Sequence, residues 1–96
     1  MAFWVYILQC ADGSYYTGHT DNLEYRIGCH QAGEVPGYTA QRRPVVLKYA
    51  QECATRIEAL QAERQVKGWS RAKKEAVIVR DFERMSVLAK KTFPAK

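Results

Sequence analysis

The chain has 96 residues, 47% of them hydrophobic, which suffices for one domain around one modest core and leaves little room for a second. No stretch approaches the about 20 apolar residues of a membrane helix, and Met1-Ala2-Phe3-Trp4 has neither the charged flank nor the apolar run of a signal peptide, so the expected location is cytoplasmic. Fifteen Lys and Arg against ten Asp and Glu give a net charge of +5, which favours a polyanionic partner such as nucleic acid.

The first predicted element is a strand. Trp4-Val5-Tyr6-Ile7-Leu8-Gln9-Cys10 is rich in aromatic and β-branched residues, Asp12-Gly13 supplies a turn, and Tyr15-Tyr16-Thr17 resumes strand character, so the segment reads as a β-hairpin. Two registers are open. A two-residue turn at Asp12-Gly13 puts Tyr6 and Tyr16 on opposite faces; a three-residue loop with Gly13 left-handed pairs Leu8 with Tyr16 and puts both tyrosines on one face.

Asp21 as N-cap with Glu24 three residues on predicts a first helix that stops at Gly33, with Leu23, Ile27 and His30 on one stripe and Arg26 at its edge. Residues 34–44 read as a loop, and Val45 to Ala50 as a third strand. Thr55 and Glu58 repeat the capping pattern and open a second helix to about Lys67, with Ile57, Leu60 and Val66 as its apolar positions and Gly68 as its end. Ser70 caps another short helix, and the tail from Asp81 to about Lys91 has a weaker helical pattern. The order is β-β-α-β-α-α. Cys10, Cys29 and Cys53 form no CxxC pair or zinc spacing and are expected to be reduced thiols.

Several side chains do not fit a bland surface or core. Glu63 falls in the middle of the arc set by Ala59, Leu60, Ala62 and Val66; a salt bridge to Lys67 is its ordinary explanation, and a hard oxygen ligand for Mg²⁺ its sharper one. Arg26 and His30 are one helical turn apart, so they can converge on one object, Arg holding a phosphate oxygen and His moving a proton. The ordinary alternative pairs Arg26 with a surface acid and leaves His30 at the helix end. Tyr6 and Tyr16 would ordinarily be half-buried packing residues, and Gly18 is either a strand-ending glycine or a point where phosphate approaches the backbone.

Taken together these residues resemble the GIY-YIG nuclease superfamily, in its short stand-alone branch. Trp4-Val5-Tyr6 and Tyr16-Thr17-Gly18 are similar to its paired signature, with Trp-Val in place of Gly-Ile and Thr in place of the second Ile. Arg26, His30 and Glu63 follow in the matching order. The resemblance implies an α/β (α+β) sandwich, a three-stranded antiparallel sheet flanked by helices, over residues 1–80, with 81–96 as a C-terminal helical extension. It also implies hydrolysis of DNA phosphodiesters with one divalent ion, Mg²⁺ or Mn²⁺, on Glu63. Tyr6, Tyr16, Arg26, His30 and Glu63 carry over as catalytic residues, and His19 falls where some members place a polar residue in support. An asparagine that many members carry downstream of the glutamate has no counterpart in Ser70-Arg71-Ala72-Lys73-Lys74-Glu75, where Lys73 or Lys74 is expected to serve the phosphate instead.

In the expected mechanism Tyr6 is general base toward water and Arg26 stabilises the developing charge. Tyr16 orients the phosphate or shares the water, the family allowing the two tyrosine roles to be exchanged, and this requires the three-residue hairpin loop or another that puts Tyr6 and Tyr16 on one face. A chain this small has no second module to grip a duplex groove, so single-stranded or branched DNA is the favoured partner, contacted by Arg42, Arg43, Arg71, Lys73 and Lys74. The main competing reading is a nucleic-acid-binding module without chemistry; a structural adaptor has no positive sign.

Overall fold

Strand β1 (Phe3–Gln9) is the centre of a three-stranded antiparallel sheet, with β2 (Tyr15–Thr20) on one side and β3 (Val46–Cys53) on the other. This computed structural model describes residues 2–79; the expected tail helix from 81 to about 91 and the 81–96 extension lie outside them. Gly13 takes φ 87°, Cys10 N–H donates to the Ser14 carbonyl, and Leu8 pairs with Tyr16. The hairpin loop is therefore the three-residue kind, which places Tyr6, Leu8 and Tyr16 on one face.

That face packs against α1 (Leu23–Ala32) through Leu23 and Ile27, with Cys10 and Val45 completing the cluster. The N-cap is Asn22, not Asp21. Thr20 Oγ1 accepts from Asn22 N–H and turns the chain one residue later than the capping pattern suggested, which frees Asp21 to pair with Arg56. Gly33 stops the helix as expected: at φ 78° it lets its own N–H reach the His30 carbonyl and Glu34 N–H reach that of Cys29.

The opposite face, Val5 and Ile7, is covered by α2 (Arg56–Lys67) and by a further helix, α3, over 71–79. Thr55 caps α2 and the Ser70 hydroxyl caps α3. Ile57 is not an inward position: it is 67% exposed, and Ala59, Ala62 and Val66 face the sheet instead. Small side chains let the helix sit close, so Glu63 beside them reaches the strands. Strand β3 runs to Cys53, beyond Ala50, because β1 offers it hydrogen-bond partners as far as Phe3. All three cysteines are free thiols, and among the described residues no helix is long and apolar enough to cross a membrane.

Candidate active site

Gly18 faces Tyr6 in the β1 and β2 ladder, and a Cβ on it would stand 2.5 Å from the Tyr6 hydroxyl and 2.7 Å from Cζ. The phenol leans over β2 at a residue without a side chain. Gly18 thus makes room for the tyrosine itself, whereas the sequence left open a strand end, which lies two residues on at Thr20, or a point of phosphate approach.

The Tyr6 hydroxyl lies 3.0 Å from His30 Nε2, and His30 Nδ1 lies 2.8 Å from Thr39 Oγ1. All three residues are buried, at 1%, 0% and 1% exposure. Burial pushes the Tyr6 hydroxyl up to about 12; the Arg26 guanidinium pulls it the other way, while Tyr16 and Glu63 add to the rise. Burial, with the Arg26 charge second, holds His30 below the usual imidazole range. His30 is therefore neutral at neutral pH, with one ring nitrogen free to accept. Arg26 is half-buried, and among the described residues no carboxylate pairs with it, so the surface acid of its ordinary reading is not found there.

Tyr16 packs edge-on against His30, with ring centroids 5.1 Å apart, and stacks on Tyr38 at 6.2 Å. Arg42 covers Tyr38 at 3.9 Å and reaches Asp12 on the hairpin turn at 3.1 Å. Thus the hairpin and α1 both meet a loop whose aromatic residue the sequence did not single out.

Glu63 comes from the opposite side. Its Oε1 lies 2.5 Å from Nδ1 of His19, the residue after Gly18 on the edge strand, and its Oε2 lies 2.7 Å from Lys67 Nζ. The helical ion pair and the cross-element contact exist together. Burial raises the Glu63 carboxyl, but its bonds to Lys67 and His19 outweigh that and hold it below the usual range. This carboxylate can hold a divalent ion. It is 13% exposed, stays ionised, and already draws a cationic ammonium that is 54% exposed and free to swing away. Among the described residues no three His, Cys, Asp or Glu gather in a cage. One carboxylate with the rest of the shell left to water and substrate suits Mg²⁺, which dehydrates reluctantly.

The five candidate DNA-contacting cations divide between two sides of the sheet. Arg42 and Arg43 hold the 34–45 loop, Arg43 donating to the Ala40 and Gln31 carbonyls. Arg71, Lys73 and Lys74 lie on α3, where Arg71 covers the Tyr15 ring and bonds the Gly13 carbonyl, and Lys73 lies over Trp69. They do not converge on Tyr16 and Arg26. Thr39 and Tyr38 were missed because nothing in a loop of Gly, Pro and Thr marks which residue turns inward.

The profile of the GIY-YIG catalytic domain matches residues 2–76. The chain belongs to the GIY-YIG family. This is a family of nuclease domains, in general dependent on a divalent metal and acting on DNA. Relatives within it include a UPF0213 protein of Bacillus pumilus, 45% identical over 78% of this chain and 76% of its own length. A UPF0213 protein of Halobacterium salinarum is 41% identical over 76% of this chain and 95% of its own. The solution structure of a UPF0213 protein of Bacillus halodurans superposes with a TM-score of 0.56 at 35% identity, covering 96% of this chain and 99% of that one. A protein of E. faecalis gives 0.58 at 36% identity, over 86% and 88%. The UPF0213 relatives are small single-domain GIY-YIG proteins, and the α+β fold of this chain, with its β-β-α-β-α-α order, matches that of the solved ones.

Proposed function

We propose that the chain is a metal-dependent endonuclease that hydrolyses phosphodiester bonds in single-stranded or branched DNA, in DNA processing or repair. The observation that carries this reading is the Tyr6 hydroxyl held 3.0 Å from Nε2 of a buried, neutral His30, beside an Arg26 that has no carboxylate partner among the described residues. A buried tyrosine that merely packs still needs a hydrogen-bond partner, but it has no need of a guanidinium without a carboxylate beside it.

A hydroxyl with a pKa of about 12 supplies almost no free phenolate at neutral pH. A relay avoids that difficulty. Tyr6 takes the proton of the attacking water as its own proton passes to His30 Nε2, so no free phenolate accumulates. Arg26 stabilises the negative charge that develops on the phosphate oxygens, and Tyr16 orients the phosphate. Mg²⁺ or Mn²⁺ on Glu63, when bound, supplies polarisation of the phosphate and a lowered pKa for water. Lys67 releases Oε2 to make that place available, and His19 keeps the carboxylate oriented from the other side.

Substrate preference rests on shape and charge. Arg42 and Arg71 reach the hairpin turn from its two sides, through Asp12 and the Gly13 carbonyl, so a flexible strand bent round the tip meets both, with Arg43, Lys73 and Lys74 farther along. The Tyr16 and Tyr38 pair adds aromatic surface for bases.

One observation favours a second reading, a binding module without chemistry: His19 and Lys67 give both Glu63 oxygens protein partners. Labelled single-stranded, duplex and flapped DNA incubated with Mg²⁺, Mn²⁺ or EDTA separates the two. The endonuclease reading expects metal-dependent cutting, lost in Glu63→Gln and reduced about 100-fold or more in Arg26→Ala. Metal-independent binding with no cutting of any substrate decides for the binder, and cutting that survives Glu63→Gln removes the metal assignment.

A further inference from the structure

We propose that Thr39 is a positioning residue of the proton relay, its hydroxyl accepting from His30 Nδ1–H and so keeping Nε2 free to take the Tyr6 proton. This rests on the reading of Tyr6 and His30 as the site's acid and base pair.

A neutral imidazole carries one N–H, and the partners of its two nitrogens decide which one bears it. If Nε2 held the proton, it would donate to the Tyr6 oxygen and Tyr6 could not pass its own proton on. If Nδ1 holds it, the Nε2 lone pair faces the Tyr6 hydroxyl. After transfer His30 is an imidazolium with two N–H donors, one returning to the Tyr6 oxygen and the other still on Nδ1. In both states Nδ1–H needs an acceptor, and in a buried pocket water does not supply one cheaply. Thr39 Oγ1, at 2.8 Å and equally buried, is placed to do so. The other titratable or charged groups around His30 are Tyr6 on β1, Tyr16 on β2 and Arg26 on its own helix, and none of them faces Nδ1 with an acceptor.

Thr39 is held there from several directions. Its carbonyl accepts from Arg42 N–H, and the Arg42 carbonyl accepts from Ala11 N–H at 2.8 Å. Its neighbour Tyr38 stacks on Tyr16, and Arg42 pairs with Asp12. At the far end of the loop, the Gln31 amide bonds both backbone groups of Val45. Since Gln31 follows His30 on α1, the same helical turn that carries the imidazole ties down the loop that carries its partner.

The test compares Thr39→Val, which keeps the shape and removes the hydroxyl, with Thr39→Ser, which keeps the hydroxyl. ¹⁵N NMR of the His30 ring in the metal-free protein reads the tautomer without any need for activity. The expected result is a proton on Nδ1 in the native chain and in Thr39→Ser, and a shift towards the Nε2 tautomer or a mixture in Thr39→Val. In cleavage assays on folded variants, kcat of Thr39→Val falls roughly tenfold with KM little changed, its pH profile moves, and Thr39→Ser restores both. A native His30 protonated on Nε2, or a folded Thr39→Val with native tautomer and native pH profile, overturns the proposal. A chain with no nuclease activity would sink the endonuclease reading alone, because the NMR measurement still decides for or against Thr39.

Discussion

Tyr6 and Gly18 face each other across β1 and β2, and the tyrosine's hydroxyl occupies the space that a methyl group on the glycine would fill. Gly18→Ala therefore forces the ring out of its place, at a cost of about 1 to 3 kcal/mol. Urea unfolding measures this. In a Tyr6→Leu background, where the ring is absent, the same change should cost much less, and an equal cost in both backgrounds would contradict the contact.

The buried phenol also predicts a late ionisation. With Tyr6 pushed up to about 12, absorbance at 295 nm in the folded range should show a last tyrosine step near that pH. Tyr6→Phe should lack it. A native titration complete near pH 10 would mean that the ring is not buried as described.

On the acid side the sign is set by His30, whose folded pKa is depressed by burial. As pH drops below the ordinary imidazole value of about 6.5, the unfolded chain takes up a proton that the folded chain refuses, so stability falls with falling pH. Urea midpoints between pH 7 and pH 5 should decline in the native chain and decline less in His30→Gln. Glu63, whose carboxyl is also held low, adds its own loss only in the lower carboxylate range, below about pH 4.3, so the two windows separate.

Lys67 competes for the place a metal would take on Glu63. Removing its charge in Lys67→Met should tighten Mn²⁺ binding by up to about fivefold, the worth of one largely exposed ion pair, as read by the electron paramagnetic resonance of free Mn²⁺. Glu63→Gln should abolish the binding. Identical affinities for the native chain and Lys67→Met would show that the ammonium does not guard the carboxylate.

The features legible in the sequence were those with local causes. Gly13 and Gly33 marked a loop and a helix end through the left-handed backbone that they adopt, and Thr55 marked a helix start through the cap that it makes. Tyr6, Tyr16, Arg26, His30 and Glu63 could be assembled through a resemblance, and the fold places Tyr6, Tyr16 and His30 in contact with Arg26 at their side. Where the expectation slipped, a neighbour outside the local pattern decided the outcome. Thr20 moved the first cap to Asn22, β1 lengthened β3, and the close approach of Ala59 turned Ile57 outward. Thr39 had no local signature, since its place depends on Asp12 and Tyr16, far from it in sequence, which hold its neighbours Arg42 and Tyr38.

The segment between α1 and β3 is in effect two segments. From Tyr38 to Val45 it is fastened to the hairpin, to Tyr16 and to α1, whereas Gly37 has open space around it and Pro36 faces solvent. Length and composition can therefore drift around Pro36 without disturbing His30, while Gly37, at φ 106°, keeps a backbone that favours glycine. Descendants of such a small nuclease domain have there a place to grow an arm, one that begins beside the chemistry and leaves it in register.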